Sequence, residues 1–131
     1  MEWLLDTNML IFAARDRPRN VRRRLQEVSP DDVAVSSVAI AELWYGAAKS
    51  DDPSRKREAW RKFLEPYAVL PFDRAAAEEH ARLRYLLRHA PIGERDLLVA
   101  AIASANKLRV VTHDLAEFAC VPGLEVEDWS R

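Results

Sequence analysis

Cys120 is the one cysteine in 131 residues, so no internal disulfide can form. That suits a reducing compartment. No apolar run approaches the ~20 residues of a membrane-spanning helix, and the chain opens on Glu2 rather than on a basic segment leading into an apolar one. The expectation is a soluble, unexported protein of the cytoplasm. Internal repeats, low-complexity segments and long linkers are also missing, so residues 1–131 read as one domain, of the common size of roughly 100–150 residues. A chain of this length buries about two-thirds of its unfolded surface, enough for a core without staples. A net charge of −1 gives no global pull toward nucleic acid.

The charge that is present is unevenly placed. Arg15, Arg17, Arg19, Arg22, Arg23 and Arg24 crowd one segment, and Arg55, Lys56, Arg57, Arg61 and Lys62 another. Acids gather at Asp114, Glu117, Glu125, Glu127 and Asp128. Arginine clusters track phosphate backbones in some proteins and form solvated helix faces in others, and both readings stay open here.

Hydrophobic patterning predicts strands over residues 2–5, 33–36, 68–70 and 109–112, with an edge strand at 125–127. Val33, Ala34 and Val35 suit a strand buried on both faces. Helices are predicted over residues 8–14, 19–28, 38–48, 53–64, 73–89 and 94–106, with a single turn at 115–118. Ser36 or Ser37 can cap the third helix, and Asp52-Pro53 reads as a cap followed by proline in the first turn. Pro18, Pro66, Pro71 and Pro91-Ile92-Gly93 punctuate the chain. Leu97 to Ala103 are all apolar, as expected of a central, buried helix. Strands separated by helices predict an α/β fold, a central parallel sheet of four to five strands flanked by helices on both faces.

Against this frame four carboxylates stand out. Asp6 ends the first strand in Leu4-Leu5-Asp6-Thr7-Asn8, and ligands of open α/β sheets bind at the carboxyl ends of strands. Taken singly, Asp6 serves equally well as the cap of the next helix. Glu42 interrupts an apolar helix, where an ionised carboxylate needs a positive neighbour, whether that is a metal or a basic side chain from another helix. Asp96 opens the central helix, a position the helix dipole favours without any function. Asp114 follows the fourth strand as Asp6 follows the first, and with Glu117 it also resembles a capping pair.

Convergence of all four at strand and helix ends changes the balance. Two carboxylates ~4 Å apart repel by roughly 4 kcal/mol at an effective dielectric of about 20, so such a cluster demands a cation. Oxygen ligands without a Cys or His set point to Mg²⁺ or Mn²⁺, with Thr7 and Asn8 as neutral supporting groups. The matching chemistry is metal-assisted hydrolysis of a phosphodiester, which requires no protein nucleophile. Cys120 reads as incidental, His80 and His89 as solvent-facing residues of the long helix, and His113 as a neighbour of the site without a role.

These residues carry a resemblance. Leu4-Leu5-Asp6-Thr7-Asn8, Ala41-Glu42-Leu43 with Gly46, Pro91-Ile92-Gly93 with Asp96, Val111-Thr112-His113-Asp114 with Phe118, and Val121-Pro122-Gly123-Leu124 with Glu127-Asp128-Trp129 stand in order along nearly the whole chain. Together they resemble a PIN-domain ribonuclease of the VapC toxin family (VapC/FitB-like). The resemblance implies a PIN fold and an Mg²⁺/Mn²⁺-dependent endoribonuclease, the toxin of a type II toxin–antitoxin system. It implies Asp6 and Asp96 as metal ligands, Glu42 as ligand or water-positioner, and Asp114 as the fourth acid. Many relatives carry Thr-Asn-Asn where this chain reads Thr112-His113-Asp114, a departure that supplies an acid in place of an amide. A homodimer, a VapB-like antitoxin whose C-terminal segment blocks the site, and a structured RNA substrate such as transfer RNA are implied as well.

Two rivals remain at this level. One is a PIN-like binding module that acts with a DNA-binding antitoxin as a regulator and has no significant nuclease activity. The other is a receiver-like domain phosphorylated on Asp6, disfavoured because the paired acid two residues on is Asn8.

Overall fold

Why the chain starts and stops its helices where it does is largely a matter of side-chain caps. In the computed structural model, which describes residues 1–90 and 92–131, Asp6 accepts from the Met9 N–H at 3.0 Å and opens α1 (Thr7–Arg15). Pro18 precedes α2 (Arg19–Glu27). Ser36 Oγ accepts from the Ala39 N–H at 3.0 Å and opens α3 (Ser37–Ala48). Asp52 does the same for α4 (Pro53–Leu64) and Asp73 for α5 (Arg74–Leu86). Each supplies an acceptor to an N–H that the first helical turn leaves without a partner. Three helices lack such a side-chain cap: α2, which follows Pro18, and α6 (Glu94–Ala105) and α7 (Leu115–Ala119), which both border the cluster of acids.

The strands are β1 (Trp3–Leu5), β2 (Val33–Ser36), β3 (Ala68–Leu70), β4 (Arg109–Val111) and β5 (Val126–Glu127). Among the described residues they form one parallel sheet in the order β3-β2-β1-β4-β5. The expected α/β class, parallel sheet and helical flanks are therefore what the chain adopts. Alternation along the strands divides the core. Leu4, Ala34 and Val110 face α5 and α6, where Ala76, Leu83, Ala100 and Ile102 pack. Leu5, Val33, Val35 and Val111 face the other way, against Met9, Leu10, Val21 and Leu43 of α1 to α3. Helix α6 is buried from Val99 to Ala103, and its alanines allow it to lie close on the sheet.

Strand order also decides where a ligand can sit. From β1 the chain steps outward through β2 to β3, then returns to β4 on the opposite side of β1. The reversal between β1 and β4 is the switch point at which the carboxyl ends of such strands open a crevice. Leu5 pairs with Val111 there, and the Asp6 N–H donates to the Val111 carbonyl at 3.0 Å.

Some expectations need correction. The long helix ends at Leu86, so His89 lies in the turn beyond it rather than on the helix; the Arg88 and Ala90 N–H groups close tighter turns onto the Tyr85 and Leu87 carbonyls. His80 is half-buried, not solvent-facing, with its ring edge-on to Phe72 at 5.6 Å. Of the break at Pro91-Ile92-Gly93, Pro91 lies outside the described residues.

Candidate active site

Helices that return between parallel strands run antiparallel to them, so their N-termini lie at the strands' carboxyl edge. This brings Asp96, in the first turn of α6, to the same edge as Asp6 after β1 and Asp114 after β4. Glu42 reaches the edge from the middle of α3. Asp6, Glu42 and Asp96 line one cavity of ≈ 490 Å³, together with Thr7, Asn8, Gly93, Glu94, Arg95 and Val99.

A tighter cluster lies beside it. One carboxylate oxygen each from Asp96, Asp114 and Glu117 lie within 4.8 Å of one another. Glu117 is the acid that sequence reasoning treated only as a capping partner. Asp114 does occupy the N-cap position of α7, but its side chain makes no cap hydrogen bond. Glu117 Oε1 instead accepts from the Gly93 N–H, across 24 residues. The capping-box reading thus fails, because both carboxylates point toward Asp96 and the loop before α6 rather than at their own helix. A spacing of three residues puts Asp114 and Glu117 on one side of a single helical turn, and that was the signal available in the sequence.

Each acid is held by specific donors. Asp6 accepts from the Met9 N–H and from the hydroxyl of Thr112. Thr112 is fully buried, and its Oγ1 also accepts from the Asp114 N–H at 2.9 Å, so one hydroxyl ties two acids together. Thr7 donates to Glu42 Oε1 at 2.9 Å and Arg95 to Glu42 Oε2 at 3.1 Å. The basic partner expected for Glu42 therefore exists and sits inside the site. Asn8 is exposed on the cavity wall. His113 turns away, with Nδ1 3.1 Å from Ser130 Oγ and its ring edge-on to Phe12. The exposed thiol of Cys120 donates to the Glu117 carbonyl.

Crowding registers in the protonation equilibria. Burial foremost raises the Asp6 pKa, with Glu42 and Asp114 adding to it and the Thr112 and Met9 donors pulling it back. The Asp96 carboxyl is pushed up to about 6, by burial first and then by the charges of Glu117, Asp114 and Asp6. An acid displaced that far marks burial combined with an excess of negative charge. The donors are all hard oxygens, the set that suits Mg²⁺ or Mn²⁺. The space between them is open at Gly93, where a Cβ would stand 3.4 Å from Glu117 Oε1 and 3.9 Å from Asp96 Oδ2. Residues and space both fit a divalent cation.

The chain is similar to known proteins in sequence and in fold. The PIN domain family profile matches residues 3–123. The tRNA(fMet)-specific endonuclease VapC of Shigella flexneri is 36% identical over 132 residues, covering 99% of each chain. Its namesake from Salmonella typhimurium is 34% identical over 131 residues, covering 98% of each. The solved structure of DNA-bound VapBC from Salmonella typhimurium superposes with a TM-score of 0.91 at 34% identity, again covering 98% of each chain.

Proposed function

This chain belongs to the PIN-domain family, within its VapC branch, and we propose on that premise that it is a divalent-metal-dependent endoribonuclease toxin. The observation that carries the reading is the convergence of Asp96, Asp114 and Glu117 beside Asp6 at the switch between β1 and β4. Those four residues would hold Mg²⁺ or Mn²⁺, with Glu42 nearby. A divalent cation there supplies Lewis acidity, polarising a phosphoryl oxygen and offsetting charge that develops on the leaving oxygen.

The chain's own residues do the positioning. Thr112 and the Met9 N–H fix Asp6, and the Gly93 N–H fixes Glu117. Thr7 and Arg95 occupy both oxygens of Glu42 and set its orientation toward the cavity. The Thr7 hydroxyl is already committed to Glu42, and among the described residues lining the cavity there is neither cysteine nor histidine. A direct attack by water on phosphorus, without a covalent protein intermediate, is the route these groups support.

Transfer RNA, the initiator species above all, is the proposed substrate, since two relatives are named for that specificity. A VapB-like antitoxin is the proposed partner, by analogy with the VapBC complex, and a homodimer acting in the cytoplasm completes the reading. Among the described residues no helix is long and apolar enough to cross a membrane. The test is cleavage of an initiator transfer RNA transcript in Mg²⁺. We expect site-specific cleavage that is lost on chelation and in Asp6→Asn and Asp96→Asn, with both variants folded by circular dichroism. Full activity in both would overturn the reading. Absence of any acid-dependent Mg²⁺ or Mn²⁺ binding in calorimetry would favour a regulatory module instead.

A further inference from the structure

A nuclease site made of carboxylates has to admit a polyanion, and the wall of this one contains a single answer to that problem. Among the described residues lining the ≈ 490 Å³ cavity, Arg95 is the one cation. Its side chain is 75% exposed and is paired with Glu42 Oε2 at 3.1 Å. A solvent-facing ion pair of this kind costs little to exchange for another partner. Arg95 also lies on the wall of a second, larger groove of ≈ 1360 Å³ between α1, α3 and α4, which shares Thr7, Asn8 and Glu42 with the cavity. Along that groove stand Arg15, Lys49 and Lys56, and Glu42 is the one acid among its described lining residues. The cavity is acidic, whereas the groove is lined mostly by apolar side chains, Leu43, Trp60 and Phe63 among them, with these cations set along it, and Arg95 stands at their junction.

We propose that Arg95 is the phosphate-positioning residue of the site: on RNA binding its guanidinium leaves Glu42 for a backbone phosphate next to the scissile bond, and the strand continues along the groove past Arg15, Lys49 and Lys56. The inference rests on the ribonuclease reading above. A planar guanidinium offers parallel N–H donors that match phosphate oxygens, which suits it to this exchange. Departure of Arg95 also frees Glu42 Oε2 while Thr7 still holds Oε1, so Glu42 gains an open acceptor facing the cavity only when substrate is present. Substrate engagement and exposure of a catalytic carboxylate are thereby coupled through one ion pair.

The experiment is steady-state cleavage of an initiator transfer RNA transcript in Mg²⁺ at several salt concentrations, paired with fluorescence anisotropy of the labelled transcript in chelator. Wild-type protein that fails to cleave overturns the ribonuclease reading, and this inference with it. Where wild type cleaves, Arg95→Gln is expected to raise KM about tenfold or more. It should also lower the slope of log affinity against log salt by about 0.7 to 1, the increment for one lost phosphate contact. Arg95→Lys, which keeps the charge, restores the slope and part of the KM. An Arg95 that merely neutralised Glu42 would give a changed kcat with KM and slope intact, and that result overturns the proposal. Lys56→Gln should lower the slope by a similar increment, and an unchanged slope there overturns the groove as the path of the strand.

Discussion

Thr112 shows how much of this site depends on a residue that bears no charge. Its hydroxyl donates to Asp6 and accepts from the Asp114 N–H, and it is fully buried, so water cannot replace it. Thr112→Val keeps the shape and removes both bonds, so the Asp6 carboxylate loses a donor and the Asp114 N–H its acceptor, at a cost of about 1 kcal/mol. We expect a 10- to 100-fold loss in kcat/KM, typical of groups that orient metal ligands, with Thr112→Ser close to wild type. Asp96 allows a test by pH. Burial and its acidic neighbours raise its carboxyl to about 6, against an ordinary 3.8, so the folded state binds that proton more tightly than the unfolded chain. The resulting stabilisation is complete below pH 3.8 and is lost as pH rises through about 6. Metal-free protein should accordingly lose melting temperature between pH 5 and 7, and Asp96→Asn should flatten that decline. At pH 7, Mg²⁺ should raise the melting temperature of wild type by mass action and leave Asp96→Asn nearly unmoved. A metal-free melting profile unchanged by Asp96→Asn would count against the crowding described here.

At the scale of elements, α7 is the weak member that the site depends on. Five residues are too few for a helix to persist unaided. Phe118, fully buried, anchors it to the core while Asp114 and Glu117 face the acids. Phe118→Ala should cost about 3–5 kcal/mol, and Phe118→Leu less, yet both should weaken Mg²⁺ binding in calorimetry by letting the turn drift. Unaltered Mg²⁺ affinity in a folded Phe118→Leu would show that α7 is held by other contacts. The contrast with the other helices explains what was legible. Starts announced by Asp6, Ser36, Asp52 and Asp73 were readable because a capping side chain is a local device. The end of α5 at Leu86 was not, because it is set by tighter turns around Leu87 that no single residue announces. Glu117 was misread for a similar reason: its partner is the Gly93 N–H, 24 residues away.

On the scale of the whole molecule, the C-terminus is pinned back onto the first strand. Trp3 and Trp129 meet edge to face at 5.4 Å, and the two indole N–H groups donate to opposite oxygens of Glu127 at 3.1 Å. Arg24 lies over both rings, so part of the arginine-rich segment is structural rather than a phosphate track. Arg22 likewise is spent on the last carbonyls of α1, bonding Ala13 and Ala14 at 2.8 Å. Trp129→Ala should destabilise the protein by about 3–5 kcal/mol in a denaturant titration, since it removes a buried ring and an acceptor's partner together. A loss below about 1 kcal/mol, the scale of a surface substitution, would mean that the Trp129 contacts do not pin the C-terminus.

The sequence by itself determined the α/β class and the strand cores, and singled out Asp6, Glu42, Asp96 and Asp114 as the candidate acids. Those are readable because periodicity, capping and the cost of a charge beside apolar residues are local properties of the chain. Tertiary structure alone decided that Glu117 joins Asp96 and Asp114, that Thr112 bridges Asp6 and Asp114, and that Arg95 faces Glu42 between an acidic cavity and a larger groove carrying Arg15, Lys49 and Lys56. The physical reason is strand order. Until β4 is laid beside β1, nothing in the chain brings residues 6, 42, 96 and 112–117 to one edge, and contacts between them do not exist to be read.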